Sequence, residues 1–395
     1  MKKKILLSAY SCEPDRGSES EVGWNWAINL SDLGHEVYVI TRANQKNKIS
    51  KYISKKNIKN LHFIYFDFPK LVIKIFKGKS NAFSYFYFYL WQIGIFFVAK
   101  NLIKRINFDL IHHVTFVSYR FPSFLCLLDL PFIFGPVSGG EEIPKKLKQS
   151  FSFKSKLKEY FREFDNKLVK IYPLLNLTFK KSKKIIVTSV DTQDKISKKY
   201  HNKILNELAI SPSNLEISEK DFIKKDYHSE KIQICFAGRL EDFKGIYILM
   251  NVIKKLKENN QNFVFNFFGK GNLQAYMEKF IKKYDLINCT KFHGKVDRDY
   301  LINHMKKNHL LLFPSLRDSG GYVLFEAMSV GLPSIVIKLG GPSKIINNKC
   351  GFIIDHKDKT EEEVINEYFD QTVNLITNIK RLEISPRKIE INPYT

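Results

Sequence analysis

At 395 residues the chain is too long for one ordinary hydrophobic core, which excludes a peptide or a single small module and leads to an expectation of two domains. Hydrophobic residues at 44% and charged residues at 26% exclude a disordered chain. Lys plus Arg number 64 against 40 Asp plus Glu, a formal charge of +24, which suits a polyanion, an anionic membrane surface or an anionic small substrate.

Fifty-four of those cations are Lys and ten are Arg, in a chain rich in Ile, Asn and Phe. Much of the charge is therefore compositional drift of an AT-biased kind. The lysines are scattered rather than grouped with Arg forks and aromatics, so no nucleic-acid partner is expected. The five cysteines, Cys12, Cys126, Cys235, Cys289 and Cys350, are odd in number and widely spaced, with no C-x-x-C pair, and a cytoplasmic location fits them best.

Three lysines ahead of Ile5, Leu6 and Leu7 imitate a signal peptide, but the apolar stretch is short and Glu13 to Arg16 follow at once, so Lys4 to Ser8 is read as a first strand. Further strands are expected at Glu36 to Thr41, Leu61 to Phe66, Leu110 to Val114, Phe132 to Pro136 and Ile185 to Thr188, with helices between them. Ala82 to Ala99 is aromatic-rich and uncharged but interrupted by Ser84, Gln92 and Gly94; it falls just short of a membrane span and is read as a buried or interfacial helix. The second half repeats the rhythm at Ile232 to Ala237, Phe263 to Phe268, Lys291 to His293, Leu310 to Pro314 and Ser334 to Ile337.

Continuous apolar strands must be covered on both faces, so the fold class is α/β, with two doubly wound, Rossmann-like domains. The expected division is 1–216, a polar linker at 217–231, and 232–395, with an atypical tail from about 378 where Pro386 and Pro393 break any helix begun near Thr360. Such sheets bind ligands beyond the carboxyl ends of their strands, which places the chemistry in loops facing a cleft between the domains.

The most informative loop is Pro314-Ser315-Leu316-Arg317-Asp318-Ser319-Gly320-Gly321-Tyr322, leading into Val323-Leu324-Phe325-Glu326-Ala327-Met328. A strand ends, glycines turn, and a helix begins with the free amides of Gly320, Gly321 and Tyr322, an arrangement that favours phosphate. Asp318 and Glu326, eight apart, suit donor-sugar and ribose hydroxyls; the other reading makes Asp318 a helix cap and Glu326 an ion-pair partner. In Gly238-Arg239-Leu240-Glu241-Asp242-Phe243-Lys244-Gly245, two cations flank one loop and can neutralise a diphosphate, although surface charge is the alternative.

Gly238-Arg239-Leu240 with Lys244-Gly245, then Asp318-x7-Glu326 running into Ala327-Met328 and Gly331-Leu332-Pro333, resembles the retaining nucleotide-sugar glycosyltransferases of family 4, group 1 glycosyltransferases of the GT-B fold. Asp318 and Ser319-Gly320-Gly321 stand where that family usually has Glu and Gly-Phe-Gly, and they resemble an Asp-Ser-Gly-Gly subgroup. Ser11-Cys12-Glu13-Pro14 with Gly17-Ser18-Glu19 resembles the subgroup's first glycine loop. His112-His113-Val114-Thr115 and Gly135-Pro136-Val137-Ser138-Gly139-Gly140-Glu141-Glu142 resemble two later strand ends, and Gly269-Lys270-Gly271 a turn that meets the nucleotide.

The resemblance implies transfer of a sugar from a UDP- or GDP-sugar to a hydroxyl acceptor with retention, Arg239, Lys244, Asp318 and His113 being catalytic. Gly17, Gly269, Gly320, Gly321, Tyr322 and Glu326 would bind the donor, with no metal and no cofactor. The implied acceptor is a glycan or a lipid-linked, surface-polysaccharide precursor. Tyr85 to Trp91 with Lys70, Lys74, Lys77 and Lys79 would rest on the anionic inner face of the cytoplasmic membrane. A non-catalytic GT-B protein that binds a nucleotide sugar or a partner is the alternative, with an epimerase or phosphorylase a further rival. Family members end in a long helix that crosses back to the N-terminal domain, and no such pattern follows Asn378.

Overall fold

The computed structural model describes residues 2–14, 16–56, 58–76, 81–209 and 231–381. Two compact units divide the chain, one from Met1–Glu141 with Arg162–Ser211, the other from Glu142–Phe161 with Pro212 onward. The division is thus not one cut at the polar stretch, because residues 142–161 belong with the second unit. Of the expected linker 217–231, only Lys231 lies among the described residues.

The first unit runs β1 (Lys4–Ala9), α1 (Ser18–Asp32), β2 (Glu36–Thr41), α2 (Lys46–Lys56), β3 (Leu61–Tyr65), α3 (Lys70–Phe76), α4 (Asn81–Ile103), β4 (Leu110–Thr115) and β5 (Phe132–Val137). Helix α5 (Phe153–Leu168) carries the chain back into it, followed by α6 (Pro173–Lys181), β6 (Lys184–Val187), α7 (Val190–Lys195) and β7 (Ile204–Asn206). The strands form one sheet in the order β3-β2-β1-β4-β5-β6-β7, every neighbour parallel. Sequence order reverses between β1 and β4, and at such a switch point the following loops diverge and leave a crevice.

Helix α4 packs Phe88, Trp91, Ile95 and Ala99 into a core shared with Phe132, Phe134 and Phe179, and Trp91 Nε1 donates to the Phe66 carbonyl at 2.9 Å. Its outer side chains Phe83, Tyr85, Phe86, Ile93 and Phe97 are exposed. By length and composition Phe83–Ile103 could cross a membrane, with a mean hydropathy of 1.3, but its inner stripe is core. The aromatic run flagged for a membrane surface therefore divides: Tyr87, Phe88 and Trp91 turn inward, while Lys77 and Lys79 lie outside the described residues.

The second unit runs β8 (Ile232–Ala237), α8 (Ile246–Glu258), β9 (Phe263–Phe268), α9 (Gln274–Lys283), β10 (Thr290–Gly294), α10 (Arg298–Met305), β11 (Leu310–Phe313), α11 (Tyr322–Ser329), β12 (Ser334–Ile337), α12 (Pro342–Ile345), β13 (Gly351–Ile354) and α13 (Glu361–Arg381). Its parallel sheet has the order β10-β9-β8-β11-β12-β13, reversing between β8 and β11. Helix α13 starts at a capping box: Thr360 Oγ1 accepts from the Glu363 amide at 3.2 Å while Glu363 Oε2 accepts from the Thr360 amide at 2.6 Å, the reciprocal pairing that satisfies two orphan donors. Residues 382–395, with the prolines of the atypical tail, lie outside the described residues.

Gly269 ends β9 with φ +141°, and a Cβ there would fall 1.9 Å from the Gly238 carbonyl oxygen. That close crossing of two strand ends requires glycine before any ligand is considered. Gly269→Ala is expected to cost about 1–3 kcal/mol, seen as a lower midpoint in denaturant unfolding; an unchanged midpoint would show that the backbones can part without cost.

Candidate functional site

The two loops singled out in the second half leave β8 and β11, the neighbouring strands at the switch point. A single 3-10 turn, Asp242–Lys244, follows β8, and its Phe243 carbonyl accepts from the amides of Leu316 and Arg317 in the loop after β11. The Arg239 guanidinium carbon lies 4.9 Å from the Phe243 ring centre and that of Arg317 4.8 Å, within cation–π range. Arg239 is exposed, whereas Arg317 is paired with the buried Glu159.

Asp318 joins the parts of this loop. Its Oδ1 accepts from the amides of Gly320 and Gly321, both at 3.1 Å, and its Oδ2 accepts from Lys244 Nζ. Two of the amides expected to be free for phosphate are therefore capped by Asp318. Burial acts to raise the Asp318 carboxyl, but the Lys244 ammonium and the two amides outweigh it and hold the group below the ordinary carboxylate range, keeping it ionised. Glu326, buried on α11, pairs with Arg298 Nε at 3.1 Å, and Arg298 Nη2 also donates to the Tyr322 hydroxyl at 3.0 Å. In this structure the cap and ion-pair reading describes Asp318 and Glu326.

The motif reading missed Arg298 and Arg317. One signal was available: Arg is rare in a chain that otherwise draws its cations as Lys, so an Arg in a loop after an apolar strand departs from the drift.

In the first unit, Gly17 precedes α1 with φ +71°, and the nearest atom to a Cβ there would be Glu21 Oε2 at 3.9 Å. Backbone conformation, not crowding, calls for glycine at this position. Glu19 Oε1 accepts from the Val117 amide at 2.8 Å, tying the start of α1 to the loop after β4. Burial drives the Glu19 carboxyl up to about 7 despite that amide. Glu13 is held below its ordinary value because Lys48 and Arg16 together outweigh its burial.

His113 stands on β4, 1% exposed, packed on Phe134 with ring centres 5.2 Å apart and with Nε2 3.3 Å from the Phe116 carbonyl oxygen. His112 is also buried, its Nε2 2.6 Å from the Gly135 carbonyl oxygen. Burial lowers both to about 4, so both are neutral at pH 7. His113 thus lies buried within the first unit, beneath its loop surface.

Two predictions follow from this geometry. Asp318→Ala removes a cap and unpairs a partly buried ammonium, and should cost roughly 2–3 kcal/mol in denaturant unfolding, with Asp318→Asn costing less because an amide oxygen still caps. For His112 and His113 the unfolded state binds protons that the folded state refuses between pH 6.5 and about 4. Their contribution to stability is complete above that window and lost as pH falls through it, by roughly 3 kcal/mol for each. Glu19 acts in the opposite sense, its contribution being lost as pH rises from 4.5 through about 7. Melting curves of His113→Gln should therefore show a shallower acid decline than wild type, and an equal decline would mean that the ring is charged in the fold.

Residues 218–380 match the family model described as glycosyl transferases group 1. The gpi3 subunit of phosphatidylinositol N-acetylglucosaminyltransferase from Schizosaccharomyces pombe is 24% identical over 94% of this chain and 75% of its own length. Other curated relatives are matched over only 36% to 42% of their length. Among solved structures, the apo lipopolysaccharide outer core galactosyltransferase WaaB is similar with a TM-score of 0.60 at 12% identity, over 95% of this chain and 90% of that one. Anabaena Alr3699/HepE in complex with UDP and glucose is similar with a TM-score of 0.52 at 15% identity, over 96% and 94%. The chain has the two-sheet GT-B architecture, and residues 218–380 of it are similar to the group 1 glycosyl transferases.

Proposed function

We propose that this chain is a retaining glycosyltransferase of the family 4 kind, moving a sugar from a nucleoside-diphosphate donor to a hydroxyl of a glycan or lipid-linked, surface-polysaccharide precursor, with no metal or other cofactor. The observation that carries the proposal is the pair of cations, Arg239 and Lys244, in the loop after β8, with Lys244 bonded to Asp318 in the loop after β11. A diphosphate arriving there competes with Asp318 for Lys244. The released carboxylate then accepts from donor-sugar hydroxyls in place of the ammonium, while Lys244 and Arg239 stabilise the charge that grows on the leaving diphosphate. Glu326 exchanges part of its bond to Arg298 for the ribose hydroxyls.

The relative named for phosphatidylinositol and the structure named for lipopolysaccharide support a lipid-linked acceptor, and the structure solved with UDP and glucose supports a nucleotide-sugar donor. Contact with an anionic leaflet at the inner face of the cytoplasmic membrane is supported by the exposed Leu71, Ile75, Phe83, Tyr85 and Phe86 of α3 and α4, with Lys70 and Lys74 among them.

Binding and slow hydrolysis of a panel of UDP- and GDP-sugars test the reading. One donor should be bound and hydrolysed; Arg239→Ala should slow hydrolysis about 100-fold or more, and Glu326→Ala should weaken binding about tenfold or more. Binding without turnover identifies a non-catalytic nucleotide-sugar protein. Interconversion of sugar nucleotides without acceptor identifies an epimerase, and dependence on inorganic phosphate a phosphorylase.

A further inference from the structure

Helix α5 is amphipathic in the reverse sense. Its inner face is polar: Glu159 pairs with Arg317, Arg162 Nη2 donates to the Gly139 carbonyl at 2.8 Å, and Asn166 Oδ1 accepts from the Tyr119 hydroxyl at 2.9 Å. Its outer face is apolar, with Phe153 83%, Leu157 44%, Tyr160 63%, Phe161 58%, Phe164 50% and Leu168 40% exposed. Those positions fall at i, i+4, i+7, i+8, i+11 and i+15, which is one stripe of an α-helix. Ile171, 71% exposed, continues the line beyond the helix end.

The flanks of the stripe determine what covers it. Lys154, Lys156, Lys158, Lys167 and Lys170 are exposed along its two sides, against Glu163 and Asp165. Aromatic side chains at the centre and lysines at both margins match a bilayer interface, where rings enter the headgroup–acyl boundary and long amines reach up to lipid phosphates. At 16 residues the helix is about 24 Å long, too short to span and suited to lying flat.

We propose that α5 docks on an anionic lipid bilayer, its Phe153–Leu168 stripe inserted and its flanking lysines at the phosphates. This deepens the leaflet contact proposed above, rests on that contact, and does not depend on the donor or on turnover. The full chain is mixed with vesicles of phosphatidylcholine alone and of phosphatidylcholine with phosphatidylglycerol, and binding is read by flotation. Wild type should float with the anionic vesicles and not with the neutral ones. Phe161→Ser with Phe164→Ser should lower partitioning about tenfold or more at an unchanged melting temperature, whereas Phe83→Ser with Phe86→Ser on α4 should lower it less.

If the α4 pair abolishes flotation and the α5 pair does not, the leaflet contact stands and the role of α5 falls; if wild type floats with neither vesicle, both fall. Phe164→Trp supplies a probe that needs no loss of binding. Its emission, taken as the difference from wild type, should shift to the blue on anionic vesicles alone. A shift that instead grows with protein concentration in the absence of lipid would mean that a second copy covers the stripe, and would overturn the proposal.

Discussion

A carboxylate withdrawn from water must be answered by donors, and the loop after β11 is built around one that is. Asp318 gives one oxygen to the amides of Gly320 and Gly321 and the other to Lys244. The first interaction starts α11 and so fixes where Tyr322 and Glu326 stand. The second draws the turn after β8 against the loop after β11. The Asp318 carbonyl also accepts from the Gly341 amide at 2.9 Å, so one residue gathers three loops at the sheet's switch point.

The fold was largely legible because burial on both faces writes strands as unbroken apolar runs. Phe263–Phe268 is buried at every position and was found to the residue. What escaped lay at sheet edges: β7 has three residues, none fully buried, and β13 is only half-buried at its two middle positions, whereas the equally short β12 is buried at every one. The division at residues 141–142 and 161–162 left no trace in composition because it depends on contacts far apart in sequence, such as Glu159 with Arg317.

At the site, residue types and spacing brought Lys244, Asp318 and the glycines to one place, but not the identity of each residue's partner. In sequence Glu326 reads either as a ligand-facing acid or as half of an ion pair, and only the structure supplies the other half, Arg298. The arginines are the clearer lesson. Where cations drift toward Lys, several of those kept as Arg are placed: Arg42 is bound to Asp67 at 2.9 Å, Arg120 and Arg162 both donate to the Gly139 carbonyl, and Arg298 bridges Glu326 and Tyr322. A planar fork holds two partners in fixed geometry, which a mobile ammonium does not.

Arg317 sits one residue before Asp318 and stacks on the ring that precedes Lys244, yet its own carboxylate partner, Glu159, comes from the inner face of α5. The loop that would meet a diphosphate is therefore braced by a helix whose other side faces outward. Linkage makes such a brace work in both directions: a ligand that favours one setting of Arg317 favours the matching setting of the helix by the same factor. Any ligand that moved Arg317 would therefore have to break its bond to Glu159 or carry that residue's helix with it.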